Sequence, residues 1–366
     1  MTAANSIDTE WTAADCSTDL AERVRAAAVA RTPLRLRGSG SKDFLGNPSP
    51  GDLLDLTRHA GIVRYAPDEL VLTARAGTRM ATIDAALAEH GQMLGFEPPH
   101  FGAGATLGGT LAAGLSGPRR ASAGAARDFV LGARILDGRG ESLHFGGKVM
   151  KNVAGYDVSR LMIGAFGTLG VILEASLKLV PRPRAQLGLQ LQLDPASALD
   201  HLRGWAQRPL PISASAIVDG FLHVRLAGAS AAVHAAASEL GGARIDDEGF
   251  WLSLREQTHA FFADPRPLWR LSVAAAAAID DLDGPWLIEW QGAQRWLKSD
   301  ASPARIRAAA SAGGGHATRF RAGAAATAID NVFHPLPAPM LALHRRLKAE
   351  FDPHGLFNRG RLHPEL

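Results

Sequence analysis

Apolar and polar residues alternate along 34-LRLR-37, 70-LVLTARAG-77 and 169-LGVILEASLKLV-180, which predicts half-buried strands. The same alternation in 129-FVLGARILDGRGESLHF-145 predicts a hairpin turning at Asp137, Gly138, Arg139 and Gly140. Helical spacing marks residues 17–31, with Ser17 or Thr18 as cap and Thr32-Pro33 as stop. It also marks 78-TRMATIDAALAEHG-91, ended by Gly91. A turn-rich stretch, 46-GNPSPGD-52, lies between the first strand and the second. The order helix, strand, loop, strand, strand, helix predicts an α+β fold rather than regular βαβ winding. Sixteen of the 39 glycines then fall between Gly102 and Gly170, and the chain becomes Ala- and Leu-rich after Pro181-Arg182-Pro183. That change sets the expected boundary: a first domain over 1–184, a smaller α+β domain over 185–325, and a helical segment over 326–366 returning to the first. No internal repeat is visible.

Composition narrows the function. At 366 residues and 46% hydrophobic, the chain can bury two substantial cores. Its formal charge is +3, with basic residues scattered and not interleaved with aromatics, which excludes a nucleic-acid binder. The single cysteine, Cys16, excludes an internal disulfide framework and a Cys-rich metal site. The longest apolar run, within 271-LSVAAAAAI-279, is too short to span a bilayer, and no apolar segment follows a basic start. The expectation is a soluble, cytoplasmic protein.

The chemistry concentrates in glycine loops. In 34-LRLRGSGSKDFLG-46 a short strand feeds a tight turn. The spacing is not that of a P-loop, which needs four residues before Gly-Lys-Ser/Thr, nor of a dinucleotide fingerprint, whose third glycine is absent. What remains is either a plain glycine turn or a nest of N–H groups that binds an anion, with Ser39 and Ser41 as further donors. In 98-PPHFGAGATLGGTLAAGLSG-117, Gly and Ala alternate with apolar residues so closely that backbone rather than side chains is expected to face an extended ligand. A third segment, 151-KNVAGYDVSRLMIGAFGTLGVILEASLKLVP-181, is again rich in glycine.

These three stretches, in this order, resemble the FAD-binding domain of flavoproteins of the vanillyl-alcohol oxidase/para-cresol methylhydroxylase (PCMH) type, over roughly residues 15–185. The resemblance implies a two-subdomain FAD domain whose first loop, Arg37, Gly38, Ser39, Gly40, Ser41 and Lys42, wraps the FAD diphosphate. It assigns the rest of the cofactor to Pro99, Thr106, Gly108, Gly109, Ala112, Gly114 and Gly117, and to Asn152, Gly155, Tyr156, Asp157, Gly167, Gly170 and Ile172. Many such proteins attach flavin through His or Cys. Here His100 and His144 are the nearest candidates and neither stands at the position used, so noncovalent FAD is expected.

The C-terminal 351-FDPHGLFNRGR-361 resembles the signature of the D-2-hydroxyacid dehydrogenase branch, with Arg359 where proline is usual, and brings Asn358 to the cofactor. With 289-EWQGAQRWL-297 and 313-GGGHATRFR-321, the chain resembles FAD-binding subunits of bacterial glycolate oxidases over nearly its whole length. That likeness implies oxidation of a small 2-hydroxy acid, with a larger FAD subunit and an iron–sulfur subunit as partners, and peripheral association with the inner face of the cell membrane through the complex. The branch's histidine-rich metal motif is absent, so no metal is expected. The remaining catalytic candidates are His316, on a glycine loop and equally readable as a structural histidine, Arg295, a surface charge or an anion contact, and His334, whose place before Pro335 favours a structural role. Two other functions stay open: a self-sufficient FAD-dependent 2-hydroxyacid dehydrogenase, and a partner subunit that keeps FAD as a structural element.

Overall fold

The computed structural model describes residues 14–147, 158–245, 247–278, 282–324 and 331–366. Two layers of structure make up the N-terminal half. Strands Leu34–Arg37 and Asp52–Asp55 pair in parallel, and the helix Ser17–Ala30 packs Leu20, Val24 and Ala27 onto Leu34 and Leu54. That helix carries no side-chain cap from Ser17 or Thr18. Cys16 occupies the cap position, and the Asp15 carboxylate accepts from Ser17 N at 2.9 Å instead. Beside this unit lies a five-stranded antiparallel sheet in the order Ile62–Ala66, Val71–Arg75, Val171–Lys178, Val130–Leu136, Ser142–Gly146. Helices Met80–Glu89 and Leu107–Ala113 supply Met80, Ile83, Leu107 and Leu111 to its core.

The hairpin turn shows how local sequence sets local structure. The Asp137 carboxylate accepts from the N–H groups of Arg139 and Glu141, both at 2.9 Å, and Gly140 takes φ +75° where a side chain would be strained. The mixed α/β architecture agrees with the α+β expectation.

After Pro181 the chain enters a second sheet of eight strands, all antiparallel neighbours. Helices Pro195–Trp205 and Ser230–Leu240 cover one stretch of it and helix Pro303–Ala312 another. The two halves are joined by one continuous core, in which Leu45, Ala113 and Leu115 meet Trp251, Leu268, Trp296 and Phe320. Polar ties reinforce the joint. Glu97 accepts from Arg119 Nε at 3.1 Å and from Arg225 Nη2 at 2.8 Å, and Trp290 Nε1 donates to Gly117 O at 3.1 Å. Among the described residues no helix is long and apolar enough to cross a membrane.

The last helix, Ala338–Phe351, returns to the first half and buries a charge there. Lys348 Nζ donates to Thr168 O (2.6 Å), Asp352 Oδ2 (2.7 Å) and Phe357 O (2.8 Å), while Asp352 accepts from the N–H groups of Leu356 and Phe357. Removing one member strands the other in a buried site. Asp352→Ala is therefore expected to cost about 3–5 kcal/mol in chemical denaturation; a loss below about 1 kcal/mol, the level of an exposed pair, would show that the tie does not hold the segment.

Candidate flavin site

A cavity of about 110 Å³ opens where the strand Leu34–Arg37 ends. Its wall includes Arg37, Gly38, Ser39, Gly40, Ser41 and Lys42 from the first loop, and Thr106, Gly108, Gly109 and Ala112 from the second segment. Gly167, Gly170, Ile172 and Asn358 complete the set from the far side. Segments separated by more than 300 residues thus meet at one place.

Each part of the wall has a local cause. Gly40 sits at φ +81°, a conformation that L side chains adopt at a cost. A Cβ on Gly38 would stand 2.3 Å from Thr106 Oγ1, so the loop can lie against Thr106 only because that Cβ is missing. Thr106 in turn caps the helix Leu107–Ala113, accepting from Gly109 N at 3.3 Å. Asn358 joins two walls: its Oδ1 accepts from Leu36 N at 2.8 Å and its Nδ2 donates to Phe166 O at 2.6 Å.

The cavity is built for an anion. Among the described residues, the backbone N–H groups of Ser39, Gly40 and Lys42 have no protein acceptor, and they line its wall. Lys42 is 9% exposed and donates to His100 O at 3.2 Å. Burial pulls its ammonium down to about 8, with the Glu256 carboxylate acting in the opposite direction. A nest of unused donors beside a buried amine suits a diphosphate that must be held without being cleaved, which is the fit test for FAD at this loop.

The glycines of the second segment divide into two kinds. A Cβ on Gly109 would press on Thr106 Oγ1 at 3.2 Å and meet no other atom within 4 Å. At Gly108 the Cβ would lie 2.7 Å from that of Ala76, and the Gly108 N–H is already spent on Ala76 O at 2.7 Å. Gly114 ends the helix at φ +63° against Gly164, and a Cβ on Gly117 would stand 2.1 Å from Glu97 O. Gly108, Gly114 and Gly117 are glycine because protein backbone or side chain approaches them. Gly114, Gly117 and Pro99 lie outside this cavity; Pro99 and Gly117 border a second one between the two halves. Asn152, Gly155, Tyr156 and Asp157 lie outside the described residues.

Of the three catalytic candidates, His316 and His334 lie beside each other and Arg295 stands apart. Arg295 points to the opposite face of its strand from Trp296 and donates to Gly292 O, Ala278 O and Ala277 O at 3.2, 2.7 and 2.6 Å. It braces a loop. His334 accepts from Ala317 N at 3.3 Å, next to His316 opposite Ser272, and neither histidine borders the loop cavity or its interdomain neighbours. The sequence reading missed Arg270, Glu289 and Glu256. Glu256 accepts from the N–H groups of His100 and Phe101 and so pins the second segment to the second half. Arg270 and Glu289 are the lone charges in 268-LWRLS-272 and 286-WLIEW-290, and a single charge inside a strand bound for the core was the available signal.

Comparison with known proteins agrees with this geometry. Residues 12–146 match the FAD binding domain family. The glycolate oxidase subunit GlcD of Bacillus subtilis is 36% identical over 172 residues, 46% of this chain and 36% of that one. A solved structure of an alkyldihydroxyacetonephosphate synthase superposes with a TM-score of 0.63 over 93% of this chain and 74% of that one, at 15% identity, so the two share a fold. The glycolate oxidase subunit GlcE of Escherichia coli K12 is 50% identical over 352 residues, covering 96% of this chain and 99% of that one. A likeness of that depth and extent leaves no second assignment: the chain belongs to the GlcE family of FAD-domain glycolate oxidase subunits.

Proposed function

We propose that this chain is the FAD-bearing subunit of a multisubunit glycolate oxidase, and that the loop Arg37, Gly38, Ser39, Gly40, Ser41 and Lys42 holds the FAD diphosphate. The observation carrying the second claim is the set of unused N–H donors facing one cavity beside Lys42. When bound, FAD supplies a two-electron acceptor for oxidation of an alcohol carbon. The residues of the chain hold and orient it: the nest and Lys42 balance the diphosphate charge, Gly109 lets the cofactor approach the helix closely, and Asn358 fixes the far wall. Asn152, Gly155, Tyr156 and Asp157 extend the site in this reading. The attachment is noncovalent, since no His or Cys borders the cavity among the described residues; Cys16 Sγ contacts Arg58 O, and His100 Nε2 lies 3.3 Å from Asp84.

The assembly reading follows from the relatives, and from a chain that offers no metal-ligating cluster of His, Cys, Asp or Glu among its described residues. The companions are a larger FAD subunit and an iron–sulfur subunit, and contact with the inner face of the cell membrane is made through them. The purified chain should carry FAD that acid releases intact, yet reduce a dye with glycolate at a negligible rate until the companions are added. Yellow colour on the denatured polypeptide would overturn the noncovalent assignment. Full activity of the chain alone would replace the subunit reading with a self-sufficient dehydrogenase.

Two glycine variants separate the site from its scaffold. Gly109→Leu fills space that the protein leaves open, so a stable but flavin-free protein is expected. Gly117→Ala collides with backbone, so a protein destabilised by about 1–3 kcal/mol is expected. Retention of flavin by folded Gly109→Leu would remove that residue from the site. Lys42 adds a pH dependence with a defined sign. An anion binds better to the protonated amine, which the unliganded chain loses as pH rises through about 8. FAD affinity should therefore fall across that range in equilibrium dialysis, and Lys42→Met should flatten the profile; an unchanged slope in the variant would show that Lys42 does not face the phosphates.

A further inference from the structure

Glu256 belongs to the second half of the chain but meets the first beside the flavin loop. It follows the helix Asp247–Arg255, whose Trp251 and Leu254 are buried in the core that the two halves share. Gln257 stops that helix at φ +57°, so the chain turns where Glu256 stands. A carboxylate at a helix C-terminus meets the negative end of the dipole, a placement that the helix itself disfavours. Two donors from across the joint compensate: Glu256 accepts from His100 N at 3.1 Å and from Phe101 N at 2.8 Å. Arg255 Nε donates to it from its own side at 2.8 Å.

The contact reaches Lys42 through a single peptide unit. The N–H of Phe101 donates to Glu256 Oε2, and the carbonyl of the same peptide, His100 O, accepts from Lys42 Nζ at 3.2 Å. Hydrogen bonds joined through one peptide polarise each other, so the carboxylate strengthens that carbonyl as an acceptor for the ammonium. Phe101 is held at φ +53°, a conformation that a bulky residue adopts only at a cost. Strain of this kind persists where surrounding contacts fix it, and Glu256 supplies such a contact here. Other charged groups lie around the amine. His100 Nε2 is 3.3 Å from Asp84 Oδ2, and Arg321 stands 5.2 Å from the Phe101 ring. On the loop itself Arg37 pairs with Asp43, whose carbonyl accepts from Arg361. Among these charges, Glu256 is the one that opposes the effect of burial on Lys42. Burial holds His100 below its ordinary value, so it has lost its proton before Lys42 begins to titrate.

We propose that Glu256 is a positioning residue for the flavin: through the His100–Phe101 peptide it holds the Lys42 ammonium at the loop that takes the diphosphate. Glu256 is not part of that cavity's wall and acts through Lys42, which is. Its second effect is on charge. A carboxylate near a buried amine favours the protonated form, the form to which an anion binds. The sign follows. With Glu256 in place the ammonium survives to higher pH, and without it Lys42 loses its proton sooner. The half of the chain that carries no flavin loop thereby sets how well the other half retains FAD. This role rests on the assignment of the diphosphate to the loop 37–42.

The test measures the FAD affinity of the full-length chain, freed of flavin, by equilibrium dialysis across the pH range in which Lys42 titrates. In Glu256→Gln, which keeps an acceptor but removes the charge, the fall in affinity should begin at lower pH than in the native chain. Where the native profile is halfway down, the variant should bind FAD about threefold or more weakly, and at acid pH close to the native level. Glu256→Asp, which keeps the charge at shorter reach, should lie between the two. In a Lys42→Met background Glu256→Gln should change nothing further, because a residue acting through Lys42 has no other route. A merely structural Glu256 would instead weaken FAD equally at every pH and add its loss to that of Lys42→Met, and either result overturns the proposal. A Glu256→Gln profile that coincides with the native one overturns it too. If Lys42→Met flattens the profile while Glu256→Gln leaves it unmoved, this role alone is lost. If Lys42→Met is as steep as the native chain, the flavin-loop reading and this role fall together. Should Glu256→Gln fail to fold, Glu256→Asp reads the same quantity, and an unmoved profile there decides against the role.

Discussion

The side-chain amide of Asn358 carries the site. It reaches back 322 residues to Leu36 N and 192 residues to Phe166 O, and so fixes the distance between the two walls of the flavin cavity. An amide can do this because it accepts on one side and donates on the other within one rigid plane. Its own backbone is held at φ +40°, a left-handed conformation in which asparagine is tolerated better than most residues. Lys348 and Asp352 anchor the same segment one turn earlier, against Thr168 O. The loop of the first strand therefore becomes a cavity only once the last forty residues have docked. Local sequence shapes the turn, and a long-range contact gives it a wall.

That dependence explains what could be read in the sequence. Strands with two-residue alternation and a hairpin with an Asp-Gly turn are local features, and the segments 34–37, 71–75, 130–136 and 171–178 form strands as their patterns predict. The helix cap was misread for an equally local reason: Ser17 and Thr18 are good capping residues, but Asp15 supplies its carboxylate from one position further out. The glycines were harder. From sequence, Gly108, Gly109, Gly114 and Gly117 are alike, and what distinguishes them is which atoms of Ala76, Gly164 or Glu97 come within reach. Such approaches belong to the fold, and no spacing encodes them. The setting of Arg295 was hidden for the same reason, since three carbonyls that claim its guanidinium lie on loops whose positions the sequence does not state.

The donors at the loop after the first strand are mostly backbone N–H groups rather than full cations. At the loop proposed to hold the diphosphate, partial charges from backbone N–H groups would do most of the work, beside a single amine whose burial weakens its hold on a proton. Such a site tolerates a large, permanently charged group because the donors are fixed before the ligand arrives.

The joint between the halves decides whether the loop cavity keeps a fixed place relative to the second sheet. A hinge would leave their separation variable, whereas here Leu45, Ala113 and Leu115 share one apolar core with Trp251, Leu268, Trp296 and Phe320. Polar ties cross the same boundary: Glu97 to Arg225, Glu256 to the N–H groups of His100 and Phe101, and Trp290 to Gly117 O. Opening the joint would expose that core and strand Glu97, whose carboxyl is held below its usual range by the two arginines against the opposing effect of its burial. The loop cavity and the eight-stranded sheet are thus set at a fixed distance by the fold itself. Fixed geometry of that kind is what lets one bound group be presented to another without further conformational ordering.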